Sequence, residues 1–279
     1  MTECPIVSTS WLSDHLDDPD LCLVDASWHL PTVGRDPIKE YHEAHIPGAV
    51  YFDIDECATA SDLPHMMPSE SKFSSYAGGL GISESSKIVV YDTVGVFSAA
   101  RVWWMFRVFG AQSVFVMDGG QFKWIKEGRP VDSSVVVPED TKFNAKLASA
   151  VTVTAGQVLE AARFGSTQIF DARSLARFIG EEEEPRPGLR GGHIPGSASL
   201  PVTELQHRGC LKSKDELKEI FAKRQFDPNK PVITTCGSGV TAAVICLALE
   251  CMGVPNSQLY DGSWSEWGAR DDLPVVTEL

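Results

Sequence analysis

Short apolar runs alternate with longer helical patterns along the whole chain. The runs at residues 21–25 (LCLVD), 87–91 (KIVVY) and 113–117 (SVFVM) are rich in β-branched and aliphatic residues, which favours strands. Residues 98–110 and 241–253 instead have the length and pattern of helices. Strands that are apolar on both faces belong in a parallel sheet that is covered by helices on each side. The pattern therefore predicts an α/β fold.

One set of motifs occurs twice, in the same order. The copies are separated by 143–148 residues, which is far longer than a solenoid unit and indicates a duplicated domain. We predict two tandem domains of one fold, at residues 1–127 and 151–279, joined by a linker at 128–150 that is rich in Ser, Pro and charge. The matching segments are 25–27 and 171–173, 45–48 and 193–196, 88–92 and 232–236, and 116–124 and 259–267.

Composition narrows the class of protein. The chain has 279 residues, 43% of them hydrophobic, which is enough for a full core in each of two domains. A formal net charge of −14 argues against nucleic acid and anionic membranes as partners. No apolar stretch approaches the roughly 18 residues of a membrane span, and the first twenty residues resemble neither a signal nor a transit peptide. We expect a cytoplasmic protein, with a mitochondrial form as the alternative.

The seven cysteines form no CxxC pair and show no metal-ligand spacing, so we expect no metal site. Their odd, scattered distribution fits a reducing compartment. Three of them follow core patterns, and we expect three others to be surface or loop residues without a partner. The core group is Cys22, Cys246 and Cys251, and the surface group is Cys4, Cys57 and Cys210.

The remaining cysteine, Cys236, stands between a strand pattern and a helix pattern. The segment Gly237–Thr241 predicts a tight loop whose backbone N–H groups, with the helix N-terminus behind them, favour a negative charge on the sulfur. Cys236 would then be a thiolate nucleophile. The alternative is a small buried residue at the end of a strand.

These motifs resemble those of the tandem rhodanese-domain sulfurtransferases over nearly the whole chain. The most specific is the loop CGSGVT, because thiosulfate-preferring members carry basic residues where Gly237 and Ser238 stand here. The other similar segments are DASWHLP (25–31), HIPGAVYFDID (45–55), RVWWMFRVFG (101–110), GHIPG (192–196) and YDGSWSEW (260–267).

The resemblance implies a double displacement without a cofactor. Cys236 takes sulfur from 3-mercaptopyruvate to give a persulfide and pyruvate, and a thiol acceptor such as thioredoxin, or cyanide, then removes the sulfur. The backbone of Gly237, Ser238, Gly239, Val240 and Thr241 would hold the persulfide. The first domain has Asp92 at the position of Cys236 and would be catalytically silent.

The resemblance also implies a proton relay through Ser238, with Asp55 and His65 reaching in from the first domain. Each assignment has a structural alternative: a helix cap for Ser238, a strand-end or turn carboxylate for Asp55, and an ordinary loop histidine for His65. The proposed relay therefore depends on the two domains meeting at Cys236.

Two arginines, Arg177 and Arg186, fall on the family positions that bind the substrate carboxylate and carbonyl. Planar guanidinium groups suit such groups because they donate two parallel hydrogen bonds. The alternative is ion pairing with the acidic run Glu181–Glu184. Arg173 and Arg190 would be weaker contacts or structural residues.

Three other functions compete with this interpretation. Thiosulfate sulfurtransfer needs the same nucleophile, although the neutral loop does not favour a dianion. A cysteine phosphatase needs an arginine six residues after the cysteine, where this chain has Ala242. A non-enzymatic binding module would not need the intact loop cysteine.

Overall fold

A computed structural model describes residues 4–278. The helices and strands of the first half are β1 (Ile6–Val7), α1 (Thr9–His15), β2 (Leu21–Asp25), α2 (Pro37–Glu43), β3 (Val50–Tyr51), α3 (Ile54–Cys57), α4 (Glu70–Gly79), β4 (Lys87–Tyr91), α5 (Ser98–Val108), β5 (Ser113–Met117) and α6 (Gly120–Lys126).

The second half follows the same plan. Its elements are β6 (Thr152–Val153), α7 (Ala155–Phe164), β7 (Gln168–Asp171), α8 (Leu175–Phe178), β8 (Ser197–Ser199), α9 (Val202–Leu205), β9 (Gln206–His207), β10 (Cys210–Leu211), α10 (Lys214–Ala222), β11 (Val232–Thr235), α11 (Ala242–Met252), β12 (Gln258–Tyr260) and α12 (Ser263–Trp267).

Each half has a five-stranded parallel sheet, and the two sheets share one topology. The strand order is β1-β5-β4-β2-β3 in the first sheet and β6-β12-β11-β7-β8 in the second. The register aligns Val24 with Val90 in one sheet and Phe170 with Thr234 in the other. The predicted α/β fold, with two copies of one parallel-sheet domain flanked by helices, is confirmed.

Helices α5 and α11 occupy equivalent places in the two domains, and together they continue the core from one domain into the other. Nearly every residue of both helices is buried, which explains their apolar sequences. Trp103, Trp104 and Phe106 lie in this core. The packing of α5 against α11 therefore joins the two domains.

The segment 128–150 contains no helix and packs on the first domain. Phe143 and Ala145 are buried, and the Thr141 N–H donates to the Gly78 carbonyl. In the described part of the chain, no helix has both the length and the apolar character needed to cross a bilayer.

Two of the cysteine assignments are wrong, and both belong to the surface group. Cys4 forms a disulfide with Cys251, which is buried in α11 as predicted, so Cys4 has a partner. Cys57 is fully buried in α3 instead of lying at the surface. A pattern of cysteines along the sequence could not reveal the pair because 247 residues separate its members.

Candidate active site

Cys236 follows β11 and precedes the loop that leads into α11, and only 2% of it is exposed. The carbonyls of Cys236 and Gly237 point away from the site, toward α12. There they accept hydrogen bonds from the N–H groups of Trp264 and Ser265, each at 2.9 Å. In a trans peptide the N–H points opposite to the preceding carbonyl. Helix α12 therefore turns the N–H groups of Gly237 and Ser238 toward the site.

The silent domain shows what this loop geometry can bind. The Asp92 carboxylate, at the position equivalent to Cys236, accepts the N–H groups of Val94 (3.1 Å), Gly95 (2.6 Å), Phe97 (2.9 Å) and Ala99 (2.9 Å). Successive N–H groups that converge on one anion form a backbone nest. In the first domain, the nest is filled by its own aspartate.

The same nest is open in the second domain. The residues equivalent to Val94, Gly95 and Phe97 are Ser238, Gly239 and Thr241. Within residues 4–278, the N–H groups of these three residues donate to no protein acceptor. The loop therefore offers three N–H donors to an anionic sulfur carried by Cys236, without a metal ion.

Ser238 is 4% exposed and lies in this loop. It does not cap α11, because the N-cap residue is Thr241 and its side chain makes no capping hydrogen bond. The capping alternative for Ser238 is therefore wrong, and its hydroxyl is free for another role.

The first domain contributes an aspartate and a histidine. His65 Nδ1 lies 2.6 Å from Asp55 Oδ1, and the other Asp55 oxygen accepts the indole N–H of Trp28 at 3.0 Å. Burial raises the pKa of Asp55, but the contacts with His65 and Trp28 and the charge of Arg186 lower it by more, so it lies below its usual value. Asp55 is therefore a carboxylate at neutral pH and can orient the imidazole.

Arg186 joins this pair to the second domain. Its Nη2 lies 3.3 Å from His65 Nε2. Because a guanidinium can only donate, His65 Nε2 is the acceptor and its proton is on Nδ1, the atom that lies close to Asp55 without the angles of a hydrogen bond. Burial lowers the pKa of Arg186, with Arg177 adding to the effect and Cys236 and Asp55 opposing it. Such a cation is poorly hydrated and suits an anionic ligand.

Arg177 lies over the start of the loop. A Cβ on Gly237 would stand 3.0 Å from Arg177 Nη2, so a larger residue at this position would push the guanidinium back by a few tenths of an ångström. Arg177 also pairs with Glu184, which Arg173 contacts at 2.7 Å. The ion-pair alternative thus holds in part for Arg177, whereas Arg186 has no carboxylate partner within 4.0 Å in residues 4–278.

Arg173 and Arg190 are structural. Arg173 is buried between Asp171 and the Trp264 ring, whose centroid lies 4.0 Å from the guanidinium carbon. Arg190 donates to the carbonyls of residues 267, 268 and 273. Both arginines hold the walls of the site.

One cavity of about 200 Å³ brings most of these residues together. It is lined by Cys236, Gly237, Ser238, Val240 and Thr241 from the loop and by Arg177 and Arg186. Trp28, Leu30 and Phe97 of the first domain close it, and sequence reasoning did not single them out. Larger cavities lie elsewhere on the protein, but Arg177, Arg186 and the candidate nucleophile Cys236 converge on this one.

A thiol in an open N–H nest, next to a histidine–carboxylate pair and two cations, defines a class of enzyme that carries an anionic sulfur on cysteine. Comparison with known proteins places the chain in a family. The rhodanese-like domain model matches residues 8–127 and 154–270. The chain therefore belongs to the rhodanese family, as a tandem protein.

Several relatives cover nearly the whole chain. The 3-mercaptopyruvate sulfurtransferase of Escherichia coli K12 is 45% identical over 271 residues, 96% of each chain. The thiosulfate sulfurtransferase of Cricetulus griseus is 46% identical and covers 94% of this chain and 91% of its own. The crystal structure of SseA from E. coli, a 3-mercaptopyruvate sulfotransferase of rhodanese fold, superposes with a TM-score of 0.87 at 42% identity, covering 94% of this chain and 99% of SseA.

Proposed function

We propose that this protein is a 3-mercaptopyruvate sulfurtransferase. The Cys236 thiolate attacks the substrate sulfur, forming an S–S bond while the C–S bond breaks. The electron pair of the C–S bond passes to the methylene carbon and its adjoining carbonyl, and protonation of this enolate gives pyruvate. An acceptor thiolate then attacks the outer sulfur of the persulfide and regenerates the Cys236 thiolate.

The observation that carries the proposal is the placement of two arginines beside a neutral loop. Arg177 and Arg186 line the same cavity as Cys236, and Gly237 and Ser238 add no charge. A donor with one carboxylate and one ketone matches two planar cations. A developing enolate at the ketone oxygen would gain more from Arg186 than the ground-state carbonyl does, which favours the transition state.

The proton steps follow from the neighbouring groups. Ser238 stands in the loop beside Cys236, and His65 approaches through its contact with Arg186. We assign Ser238 and His65 to proton transfer at the leaving carbon and the incoming thiol, with Asp55 fixing the tautomer of His65. The persulfide nest of residues 237–241 stabilises the charged sulfur between the two half-reactions.

Thiosulfate is the second candidate donor, because a relative of similar identity is named for it. Its two negative charges would have to be matched by Arg177 and Arg186 alone, and Arg177 already pairs with Glu184. The acceptor is proposed to be a thiol, with thioredoxin as one candidate, and the protein is proposed to act in the cytoplasm.

The test compares the two donors at equal concentration with a thiol acceptor, for the wild type and for Cys236→Ser. We expect faster transfer from mercaptopyruvate, and pyruvate release that disappears in Cys236→Ser while its far-UV circular dichroism is unchanged. Preference for thiosulfate would overturn the donor assignment. Pyruvate release by Cys236→Ser would overturn the mechanism, and no transfer from either donor would favour the binding-module alternative.

A further inference from the structure

His65 has a strained backbone in a buried place. Its φ is +58°, in the left-handed region that residues other than glycine adopt uncommonly, although histidine adopts it more often than most, and only 6% of His65 is exposed. Such a conformation costs about 1 kcal/mol or more and persists only where surrounding contacts hold it. Something in the structure must therefore hold this residue.

The equivalent turn belongs to the second domain and packs against the Asp92 loop of the first, and it has the same shape without the strain. Two residues after His65, the Met67 N–H donates to Asp261 at 2.7 Å, and at the equivalent place in the second domain the Leu211 N–H donates to Asp118 at 2.8 Å. The residue that corresponds to His65 is therefore Gly209, with φ +78°. Glycine adopts this conformation freely, so of the two turns only the one beside the Cys236 loop is strained.

Arg101 is the group that holds the strained turn. It lies on α5 of the first domain and is fully buried. Its Nη2 donates to the His65 carbonyl at 2.8 Å and to Asp261 Oδ1 at 2.7 Å, and its Nη1 lies 3.5 Å from the Gly239 carbonyl in the catalytic loop. One guanidinium thus joins the histidine turn, the catalytic loop and the second domain.

The Asp92 loop and its neighbouring turn do without such a group. The residue equivalent to Arg101 is Ile245, and the Gly209 carbonyl instead accepts the N–H of Val96 at 3.0 Å. Val96 corresponds to Val240 of the catalytic loop. Beside the Cys236 loop the carbonyl of the turn therefore accepts from Arg101, whereas beside the Asp92 loop it accepts from an N–H of the loop itself.

We propose that Arg101 and Asp261 are positioning residues that hold His65 in its left-handed conformation against the catalytic loop. They touch neither the donor nor Cys236. They act through His65, whose alignment with Asp55 and Arg186 depends on this turn. The kinetic test of this inference, pyruvate release, rests on the proposed function. The spectroscopic test, the tautomer of the His65 imidazole, rests on geometry alone.

The experiment compares Arg101→Met with a matched control, Arg107→Met. Arg107 lies on the same helix, bonds across the domain interface to Glu250 at 2.8 Å, and stands 4.9 Å from the Trp103 ring, as Arg101 stands 5.1 Å from the Trp104 ring. It does not contact the His65 turn or the loop. We expect Arg101→Met to lower kcat for pyruvate release about 10- to 100-fold, and Arg107→Met to leave it nearly unchanged.

A double-mutant cycle with His65→Ala separates positioning from general damage. If Arg101 acts through His65, the variant Arg101→Met/His65→Ala is no slower than His65→Ala alone. Multiplicative losses would overturn the proposal. So would equal losses in Arg101→Met and Arg107→Met.

A second readout does not depend on the donor. The ¹⁵N spectrum of the His65 imidazole, assigned by its absence in His65→Ala, should report the Nδ1-protonated neutral tautomer in the wild type and in Arg107→Met. We expect a mixture of tautomers in Arg101→Met. An unchanged tautomer in Arg101→Met would overturn the positioning role of Arg101, even if the natural donor proves to be another compound.

Discussion

Replacing Arg186 by methionine tests how the donor is bound. The change removes a half-buried guanidinium that lines the cavity and contacts His65, and it keeps the length of the side chain's apolar stem. Of the two arginines predicted to bind the donor, Arg177 has its charge partly matched by Glu184, whereas no carboxylate lies within 4.0 Å of Arg186 in the described residues. The positive charge of Arg186 is therefore more available than that of Arg177 for binding the donor.

The magnitude follows from this difference. A hydrogen bond to a charged group contributes about 1.5–3 kcal/mol, which corresponds to roughly 10- to 150-fold in kcat/KM. Arg186 is half-buried, so solvent weakens its interaction with the donor less than it would at the surface. We expect Arg177→Met to have the smaller effect, since part of its charge already serves Glu184.

The assay is pyruvate release followed over a range of mercaptopyruvate concentrations, with Arg186→Lys as the matched variant. Lysine keeps the charge but donates from a single point, so it should fall between wild type and Arg186→Met. Discharge of a preformed persulfide to a thiol should be nearly unchanged, because pyruvate has already left. The reasoning fails if Arg186→Met keeps the wild-type kcat/KM or is impaired less than Arg177→Met.

Two further predictions concern the loops at the ends of β11 and β4. Gly237→Ala places a methyl group 3.0 Å from Arg177 Nη2. Because crowding of about 1 kcal/mol corresponds to roughly fivefold in rate, we expect kcat/KM for mercaptopyruvate to fall by this factor while the melting temperature changes little. Wild-type kinetics in this variant would show that Arg177 does not lie over the loop. Burial raises the pKa of Asp92 to about 6, although four N–H groups oppose the shift. The folded state therefore binds this proton more tightly than the unfolded state does. The resulting contribution to stability is full below the ordinary carboxyl pKa and is lost as the pH rises through 6. Urea unfolding of wild type and Asp92→Asn should show the wild type gaining about 1.4 kcal/mol relative to the variant between pH 8 and pH 5, and a difference that does not vary with pH would refute this.

Much of the site could be read from local patterns. The strand, loop and helix around Cys236 are consecutive in sequence, and the duplication repeats each pattern, so a chance match in one copy can be checked in the other. Arg177 and Arg186 were found by their resemblance to family positions. Trp28 and Phe97 were not found, because an aromatic residue that closes a cavity has the same pattern as one in a core.

The sequence by itself determined the two copies and the α/β fold, and it singled out Cys236 as the candidate nucleophile. These properties depend on hydrophobic periodicity and on short motifs, both of which are local. The tertiary structure decided which distant groups meet at Cys236, because that depends on how α5 and α11 pack the domains together. It pairs Cys4 with Cys251, turns Arg177 toward Glu184, and brings His65 to the loop through Arg101 and Asp261. No periodicity along one chain encodes such contacts, since they depend on how separate segments pack, and the disulfide and the Arg101–Asp261 pair cross between the domains.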